Sequence, residues 1–271
     1  MPELPEVETT RRGVEPHIKH HAIRDIVIRQ QALRWPVPKQ LARKVRGRQI
    51  LSVGRRGKYL LLRLDNGTII IHLGMSGSLR ICTPDATIRK HDHVDFILDN
   101  DKILRLHDPR RFGAVLWTAG DPEQHKLLAS LGPEPLDDDF NGDYLFEHSR
   151  KRTASIKSFI MNSHVVVGVG NIYACESLFL AGINPKRKAG SLSLARCEKL
   201  AAAIKHVLNH SITQGGTTLR DYLRENGMPG YFAQRLFVYG KAGEPCAQCG
   251  QPIKRIIQQQ RSTFYCTQCQ K

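Results

Sequence analysis

The stretch Tyr59-Leu-Leu-Leu-Arg-Leu-Asp-Asn-Gly-Thr-Ile-Ile-Ile-His-Leu73 decides the fold of the first part of the chain. Two apolar runs, 59–64 and 68–73, flank Asn66-Gly67, a dipeptide that strongly favours a β-hairpin. Because similar hairpin signals recur without intervening helices, residues 1–120 are predicted to form an antiparallel sandwich or barrel. The other predicted elements are strands at 23–29, 93–98, 102–107 and 112–117, and a short helix within 5–15.

The composition narrows the class of partner. The 271 residues include 41 Lys and Arg against 25 Asp and Glu, a formal net charge of +16, and 41% are hydrophobic. That apolar content excludes a wholly disordered chain, and the positive charge favours a polyanionic partner, with nucleic acid ahead of an anionic membrane. No apolar run approaches the roughly 20 residues that span a bilayer, so a soluble, cytoplasmic protein is expected.

The charge changes along the chain. Between Asp121 and Glu147 there are eight acidic residues and one base, Lys126, together with three prolines. Residues 121–149 are therefore predicted to be an acidic connector. The pattern then becomes helical over 150–235, with apolar residues at helical spacing in 171–181 and 193–212.

Four cysteines near the end of the chain have the spacing of a metal site. They form the array C-x2-C-x16-C-x2-C at Cys246, Cys249, Cys266 and Cys269. Two such knuckles can share one tetrahedral zinc ion, and four thiolates leave no open position for catalysis, so residues 236–271 are predicted to hold one structural zinc. Two disulfides are the alternative. A hairpin between the knuckles would carry Arg261 at its tip.

The amino terminus offers a nucleophile. A small second residue such as Pro2 favours removal of the initiator methionine, which would leave a free secondary amine. In peptides the pKa of an α-amino group is roughly 7.7–8.0, so part of it is unprotonated at neutral pH. The unprotonated amine can form a Schiff base with an electrophilic carbon. Glu3 beside it can donate or accept a proton. The alternative is a helix start at which the acids favour the helix dipole.

Several short sequence motifs, in the order in which they occur along the chain, resemble those of the bacterial formamidopyrimidine-DNA glycosylase family. The resemblance covers essentially the whole chain. It rests on the opening Pro2-Glu3-Leu4-Pro5-Glu6-Val7-Glu8, on Arg55–Leu60, His72–Gly77, Lys90–His93, Asp108–Gly113, Gly168–Ala174, Gln214–Thr218 and Pro229–Phe232, and on the zinc knuckles.

The resemblance implies an α+β multidomain fold. It consists of an N-terminal antiparallel β-sandwich with a short helix, a helical helix–two-turn–helix domain and a C-terminal zinc ribbon. The implied activity is that of a bifunctional DNA glycosylase and AP lyase of base excision repair, acting on 8-oxoguanine opposite cytosine and on formamidopyrimidines. The implied partner is double-stranded DNA with oxidised purines or abasic sites, and the implied state is a monomer.

The resemblance also assigns roles to residues. Pro2 is the implied nucleophile, Glu3 the acid that assists sugar ring opening, and Lys58 and Arg261 the other catalytic residues. The family inserts side chains into DNA at Met75, Arg110 and Phe112, where Arg110 would hydrogen-bond the orphaned cytosine. Candidate phosphate contacts are His91, Arg152, Asn171 and Lys157, and residues 217–231 match a loop that closes over the everted base.

One string departs from the family pattern, and two alternatives stay open. Met161-Asn162-Ser163 lacks the acid that more commonly follows this methionine. The first alternative is an endonuclease VIII-type glycosylase, but that group typically opens with Pro-Glu-Gly-Pro-Glu, whereas this chain has Leu4. The second alternative is a DNA-binding protein of the same fold without catalysis.

Overall fold

The computed structural model describes residues 2–215 and 236–271, which fall into two compact units. The first unit contains the chain up to Ala129, and the second begins at Ser130. No helix in the described part of the chain is long and apolar enough to cross a membrane.

The first unit is a sandwich of two four-stranded antiparallel sheets, as the fold prediction required. Its elements are helices α1 (Leu4–Ile18) and α2 (Leu41–Val45) and strands β1 (Ile23–Ile28), β2 (Ile50–Arg56), β3 (Tyr59–Leu64), β4 (Gly67–His72), β5 (Ser78–Cys82), β6 (Asp92–Leu98), β7 (Ile103–His107) and β8 (Ala114–Thr118). The strand orders are β1-β6-β7-β5 and β2-β3-β4-β8. Of these strands, β2 and β5 were not predicted.

The hairpin predicted at Asn66-Gly67 is confirmed. Strands β3 and β4 pair antiparallel, with Leu64 opposite Gly67. Gly67 has a φ of +152°, and a Cβ there would lie 2.4 Å from the Thr118 carbonyl oxygen of β8. The close approach of the third strand therefore requires glycine at this position.

The core of this unit is apolar, and a buried ionic network lies on the other face of one of its sheets, where Asp95 and Arg105 alternate with core residues of β6 and β7. Leucine, isoleucine, valine and phenylalanine side chains from both sheets meet between them, and α1 packs against β2, β3 and β5. Arg105, which is 1% exposed, donates to both carboxylate oxygens of Asp95 at 2.9 Å. Buried charges are tolerated when they are paired in this way, and the two residues lie opposite each other in the pairing of β6 with β7.

The second unit is helical and ends in a ribbon. It contains helices α3 (Gly142–Ser149), α4 (Ile156–Ile160), α5 (Asn171–Leu180) and α6 (Leu194–Thr213), followed by strands β9 (Lys254–Gln258) and β10 (Arg261–Tyr265). The acidic range 121–149 differs from the connector that was expected. Asn141 caps α3 by accepting the Tyr144 N–H at 2.9 Å, and α3 packs on α6, so much of this range belongs to the second unit.

Candidate functional site

Pro2 and Glu3 lie directly before α1, and both are buried. The Glu3 backbone N–H donates to the Glu6 carboxylate at 2.8 Å, and the Glu3 side chain accepts the Glu6 backbone N–H. This reciprocal pair is a capping box, which satisfies two amides at the start of the helix. The residue predicted to be the nucleophile is thus joined to a helix end of fixed geometry.

Lys58 lies in the two-residue turn between β2 and β3, because Arg56 pairs with Tyr59 across it. Gly57 in this turn has a φ of +55°, a left-handed conformation that glycine adopts without a steric penalty. The Arg55 guanidinium donates to the Gly57 carbonyl at 3.1 Å. This bond holds the turn that presents the half-buried lysine.

Arg55 is in turn held by Glu8, a buried acid of α1. Arg11, Arg12 and Arg55 donate to its carboxylate at 3.0, 2.7 and 3.2 Å. Burial opposes ionisation, but hydrogen bonds from Arg11 and Arg12 outweigh it and lower the pKa of Glu8. We call these four side chains the Glu8 clamp. It joins the helix that follows Pro2 to the strand that leads to the lysine turn.

Met75, Arg110 and Phe112 line one cavity of about 720 Å³. Met75 is 37% exposed and Phe112 is 44% exposed. The guanidinium carbon of Arg110 lies 5.0 Å from the centre of the Phe112 ring, in cation–π contact. We call these three residues the wedge. Exposed large apolar side chains beside an arginine suit insertion between stacked bases.

His72 and Arg34, which the sequence analysis did not single out, line the same cavity. Burial, with the charges of Lys58 and Arg34, lowers the pKa of His72 to about 4, so the ring is neutral at physiological pH. Its Nδ1 accepts the Gly74 N–H at 3.0 Å, which leaves the proton on Nε2. Arg34 is exposed and stacks on Trp35 at 4.7 Å. Their only sequence signal is the match of His72 to a family string.

His91 lies in the turn before β6 and is half-buried. Its ring centre is 5.9 Å from that of His107 and 6.1 Å from that of His93. Its backbone carbonyl accepts the Asp108 N–H at 2.9 Å. The predicted phosphate contact is therefore tied to the start of the loop that carries Arg110.

In the second unit, Arg152 and Arg261 line a cavity of about 480 Å³. His148, Lys157 and His164 line it as well, and none of the described side chains around it is acidic. Asn162 is also in this lining, so the departure from the family pattern takes a negative charge away from the cavity. A basic lining of this kind suits an anionic group such as a phosphate.

Arg261 is placed by the ribbon hairpin, close to its tip as the sequence predicted. Gln259 and Gln260 form the turn with φ values of +45° and +60°, and Arg261 pairs with Gln258 immediately beyond it. Two consecutive positive φ values are typical of a type I′ turn, which matches the twist of the strands. The arginine is exposed.

Lys157 is only 2% exposed. Its ammonium donates to Asn171 Oδ1 and Thr263 Oγ1 at 2.6 Å, and to the Ser262 carbonyl at 3.3 Å. The Asn171 amide donates to the same carbonyl at 2.9 Å. This burial does not fit the direct phosphate contact expected of Lys157. The ammonium instead orients the Asn171 amide and ties α4 and α5 to β10.

We expect Lys157→Met to lower the free energy of unfolding by about 2–4 kcal/mol, because it leaves buried acceptors on Asn171 and Thr263 unpaired. Thermal and urea unfolding measure this loss. Lys151→Met is the matched control, since Lys151 is an exposed lysine of the same segment. Equal stability of the two variants would contradict the structural role of the ammonium.

The four knuckle cysteines come together as predicted. Their sulfur atoms all lie within 4.8 Å of one another, with Cys246 3.9 Å from Cys269 and Cys249 3.4 Å from Cys266. A tetrahedral zinc with Zn–S bonds of about 2.3 Å requires sulfur separations of about 3.8 Å, so the cluster fits this ion. The site holds one structural zinc, which closes the ribbon.

Glu176 is a further residue that the sequence analysis missed. It is 3% exposed and accepts the backbone N–H groups of Phe237, Val238 and Tyr239 at 2.7, 3.0 and 2.8 Å. Burial raises the pKa of Glu176, and these three bonds partly offset that effect. The carboxylate anchors the segment that leads into the ribbon. An acid among the apolar residues of helix α5 was the available sequence signal.

The predicted site residues divide between the two units. The first unit contains Pro2, Glu3, Lys58, Met75, His91, Arg110 and Phe112, and the second contains Arg152, Asn171, Arg261 and the zinc cysteines. Residues 217–231, expected to close over the everted base, lie outside the described residues.

Three family models match the chain in the order of its parts. They are the formamidopyrimidine-DNA glycosylase N-terminal domain over residues 1–115, the formamidopyrimidine-DNA glycosylase H2TH domain over 131–222, and a zinc finger found in FPG and IleRS over 243–271. The formamidopyrimidine-DNA glycosylase of Teredinibacter turnerae is 60% identical over 271 residues, which cover 100% of both chains. The matched H2TH range places α3 inside the helical domain, as the structure does.

Solved structures agree with these matches. A Lactococcus lactis FPG variant in complex with DNA containing Fapy-dG has a TM-score of 0.92 and 35% identity, covering 100% of both chains. The MutM (FPG) protein of Thermus thermophilus has a TM-score of 0.89 and 36% identity, covering 99% of this chain and 98% of the other.

A β-sandwich that carries an amino-terminal proline and a wedge, together with a helical unit and a zinc ribbon, defines the class of zinc-ribbon DNA glycosylases. Within that class, the chain belongs to the formamidopyrimidine-DNA glycosylase family. It is an enzyme of base excision repair.

Proposed function

We propose that the chain removes oxidised purines, chiefly 8-oxoguanine opposite cytosine and formamidopyrimidines, from double-stranded DNA and then cleaves the strand. The observation that carries this proposal is the wedge, in which Met75, Arg110 and Phe112 share one cavity and remain exposed. A glycosylase must take its target out of the helix, and something must occupy the vacated space.

The wedge residues divide that task by their chemistry. Phe112 separates neighbouring bases, and Met75 fills the gap left by the everted nucleotide, which offsets the cost of unstacking. Arg110 donates to the orphaned cytosine through its fixed, planar set of N–H groups. In the free protein the ring of Phe112 already supports that guanidinium.

Pro2 performs the covalent step once its amine is free. The nitrogen lone pair attacks the anomeric carbon of the damaged nucleotide, and the glycosidic bond breaks with its electron pair leaving on the base, which takes up a proton. Glu3 assists opening of the sugar ring by proton transfer. The product is an iminium ion between the proline nitrogen and the sugar carbon.

The iminium ion makes the adjacent sugar protons acidic. Loss of one proton expels the 3′ phosphate by β-elimination, and a second elimination expels the 5′ phosphate, which leaves a one-nucleoside gap. Lys58 and Arg261 hold phosphates next to the lesion. Because an arginine almost never deprotonates, Arg261 acts in δ-elimination by electrostatic stabilisation of the leaving phosphate.

Relatives support the choice of partner. The L. lactis FPG structures include complexes with DNA that contains Fapy-dG and with DNA that contains an abasic site. The curated relatives are bacterial proteins, so we place this activity in the bacterial cytoplasm, where the chromosome lies.

Excision assays test the substrate. Duplexes with 8-oxoguanine opposite cytosine, with thymine glycol and without damage are compared in single turnover, with and without borohydride. We expect the 8-oxoguanine duplex to react fastest, to give a trapped covalent adduct and to yield a gap with phosphates at both ends. Faster release of thymine glycol would favour the endonuclease VIII-type specificity. Binding without cleavage would favour the non-catalytic alternative.

A further inference from the structure

Two of the three wedge residues, Arg110 and Phe112, lie in a short loop, Asp108–Gly113, between β7 and β8, which we call the wedge loop. Asp108 follows the last residue of β7, and its side chain is completely buried. An acid buried in a DNA-binding face is costly unless it makes specific hydrogen bonds. The bonds that it makes show what it contributes to the loop.

Asp108 connects the two ends of the loop through its side chain and closes a turn within the loop through its backbone carbonyl. Its Oδ2 accepts the Gly113 N–H at 2.7 Å, and its backbone carbonyl accepts the Arg111 N–H at 3.2 Å. Arg111 has a φ of +56°, a left-handed conformation that is unfavourable for a residue with a Cβ. The two bonds hold this conformation, and it presents Arg110 and Phe112 on either side of it.

Asp108 also joins the loop to the neighbouring histidines. Its N–H donates to the His91 carbonyl at 2.9 Å, and its own carbonyl lies 2.9 Å from His93 Nε2. The wedge loop and the candidate phosphate contact at His91 therefore share one anchor.

The wedge loop packs closely against the backbone next to Met75. A Cβ on Gly74 would lie 2.4 Å from the Phe112 carbonyl carbon, and a Cβ on Gly113 would lie 2.8 Å from the His72 carbonyl oxygen. Both distances are below any tolerable contact, so the two loops pack backbone against backbone. Met75 and Phe112 thus stand on a single support, whose geometry depends on the Asp108–Gly113 bond.

We infer that Asp108 is a positioning residue: it holds Arg110 and Phe112 in the geometry of insertion before DNA binds. A loop ordered in advance does not pay the entropy of ordering when the duplex arrives. The inference rests on the proposed function, in which the wedge replaces an everted nucleotide. Asp108 itself is completely buried, so it has no exposed surface with which to contact DNA.

The test uses the full zinc-loaded chain and a duplex with 2-aminopurine beside 8-oxoguanine, since its fluorescence rises when stacking is lost. Asp108→Ala removes the acceptor of the Gly113 N–H. We expect the fluorescence step and single-turnover excision to slow by about 10- to 100-fold, because small misplacements of positioning groups cost up to about 10²-fold. Trapping on a preformed abasic site, which has no base to expel, should change by less than about threefold.

Three comparisons separate positioning from general damage. Asp108→Asn keeps an oxygen for the Gly113 N–H and should restore both rates. Asp121→Ala controls for the loss of an aspartate that accepts a backbone N–H, because the exposed Asp121 accepts the Glu123 N–H at 3.0 Å and lies outside the wedge loop. In a double variant, Phe112→Ala should mask part of the effect of Asp108→Ala, since the aspartate positions that ring together with Arg110. Circular dichroism identifies a temperature at which every variant is folded. If Asp108→Ala does not fold at any usable temperature, Asp108→Ser takes its place.

The outcomes distinguish two failures. If Phe112→Ala and Met75→Ala slow excision but folded Asp108→Ala does not, the aspartate is no positioning residue. The same conclusion follows if Asp108→Ala slows intact and abasic substrates equally. If neither Phe112→Ala nor Met75→Ala changes the fluorescence step, the assignment of the wedge itself is wrong.

Discussion

Blocking the amine of Pro2 is expected to reduce borohydride trapping and strand cleavage by roughly 10³-fold or more, because the nucleophile has no substitute. Acetylation, or any residue retained before Pro2, converts the amine into an amide whose lone pair is delocalised. Binding to lesion-containing DNA should persist, since the wedge and the basic cavity are unchanged. Intact mass spectrometry confirms the block before rates are measured.

The matched control is Pro5→Ala. Pro5 lies in the first turn of α1, where a proline supports the helix start but carries no free amine. Its substitution should leave trapping within about threefold of the unmodified chain, by the small size of helix-start effects. A covalent adduct that forms at the normal rate in the blocked chain would falsify the assignment of Pro2.

Removal of zinc is the second change that we expect to have a large effect, here on DNA binding. The ribbon contributes few apolar residues, such as Ile253 and Phe264, to a small cluster, so the metal supplies most of its folding free energy. Chelation, or Cys266→Ser, should weaken DNA binding by roughly 100-fold or more, since Arg261 loses its hairpin. Zinc release, DNA affinity and its salt dependence measure this loss.

The first unit should survive that treatment, because it has its own core between two sheets. Unfolding of the metal-free chain is therefore expected to show a separate transition for the sandwich. Cys82→Ser is the matched control, since Cys82 lies in β5 outside the cluster. Unchanged DNA affinity after complete zinc release would show that the ribbon makes no essential contact.

Where local pattern and tertiary structure agree, the sequence predicted the fold closely. Strand β3 was predicted with its observed bounds, and α5 begins at Asn171 as expected. Strand β2 was missed because its sequence, Ile50-Leu-Ser-Val-Gly-Arg-Arg56, lacks a clear alternation, and its pairing with β3 determines it. Helix α3 was missed because its acids and nearby prolines resemble a linker, while packing on α6 stabilises it.

The site could be predicted as residue types but not as an arrangement. Met75 and Phe112 are far apart in sequence, and only the backbone contact of their two loops brings them together. Lys157 lies five residues after the basic run Arg150-Lys151-Arg152 and was a candidate phosphate contact, yet its ammonium is buried. Burial and shared anchors such as Asp108 depend on contacts distant in sequence, which a single sequence does not show.

The Glu8 clamp has a consequence for which substitutions this chain can tolerate over evolution. The Glu8 carboxylate accepts hydrogen bonds from three arginines, so all of these ion pairs depend on one acid. Loss of Arg12 leaves Glu8 with a partner on the helix, Arg11, and a partner on the strand, Arg55. Loss of Glu8 removes the one carboxylate that Arg11, Arg12 and Arg55 share, although Arg11 keeps Glu15 at 2.6 Å. Substitution of Arg12 is therefore expected to be tolerated and substitution of Glu8 is not, although neither residue takes part in the chemistry.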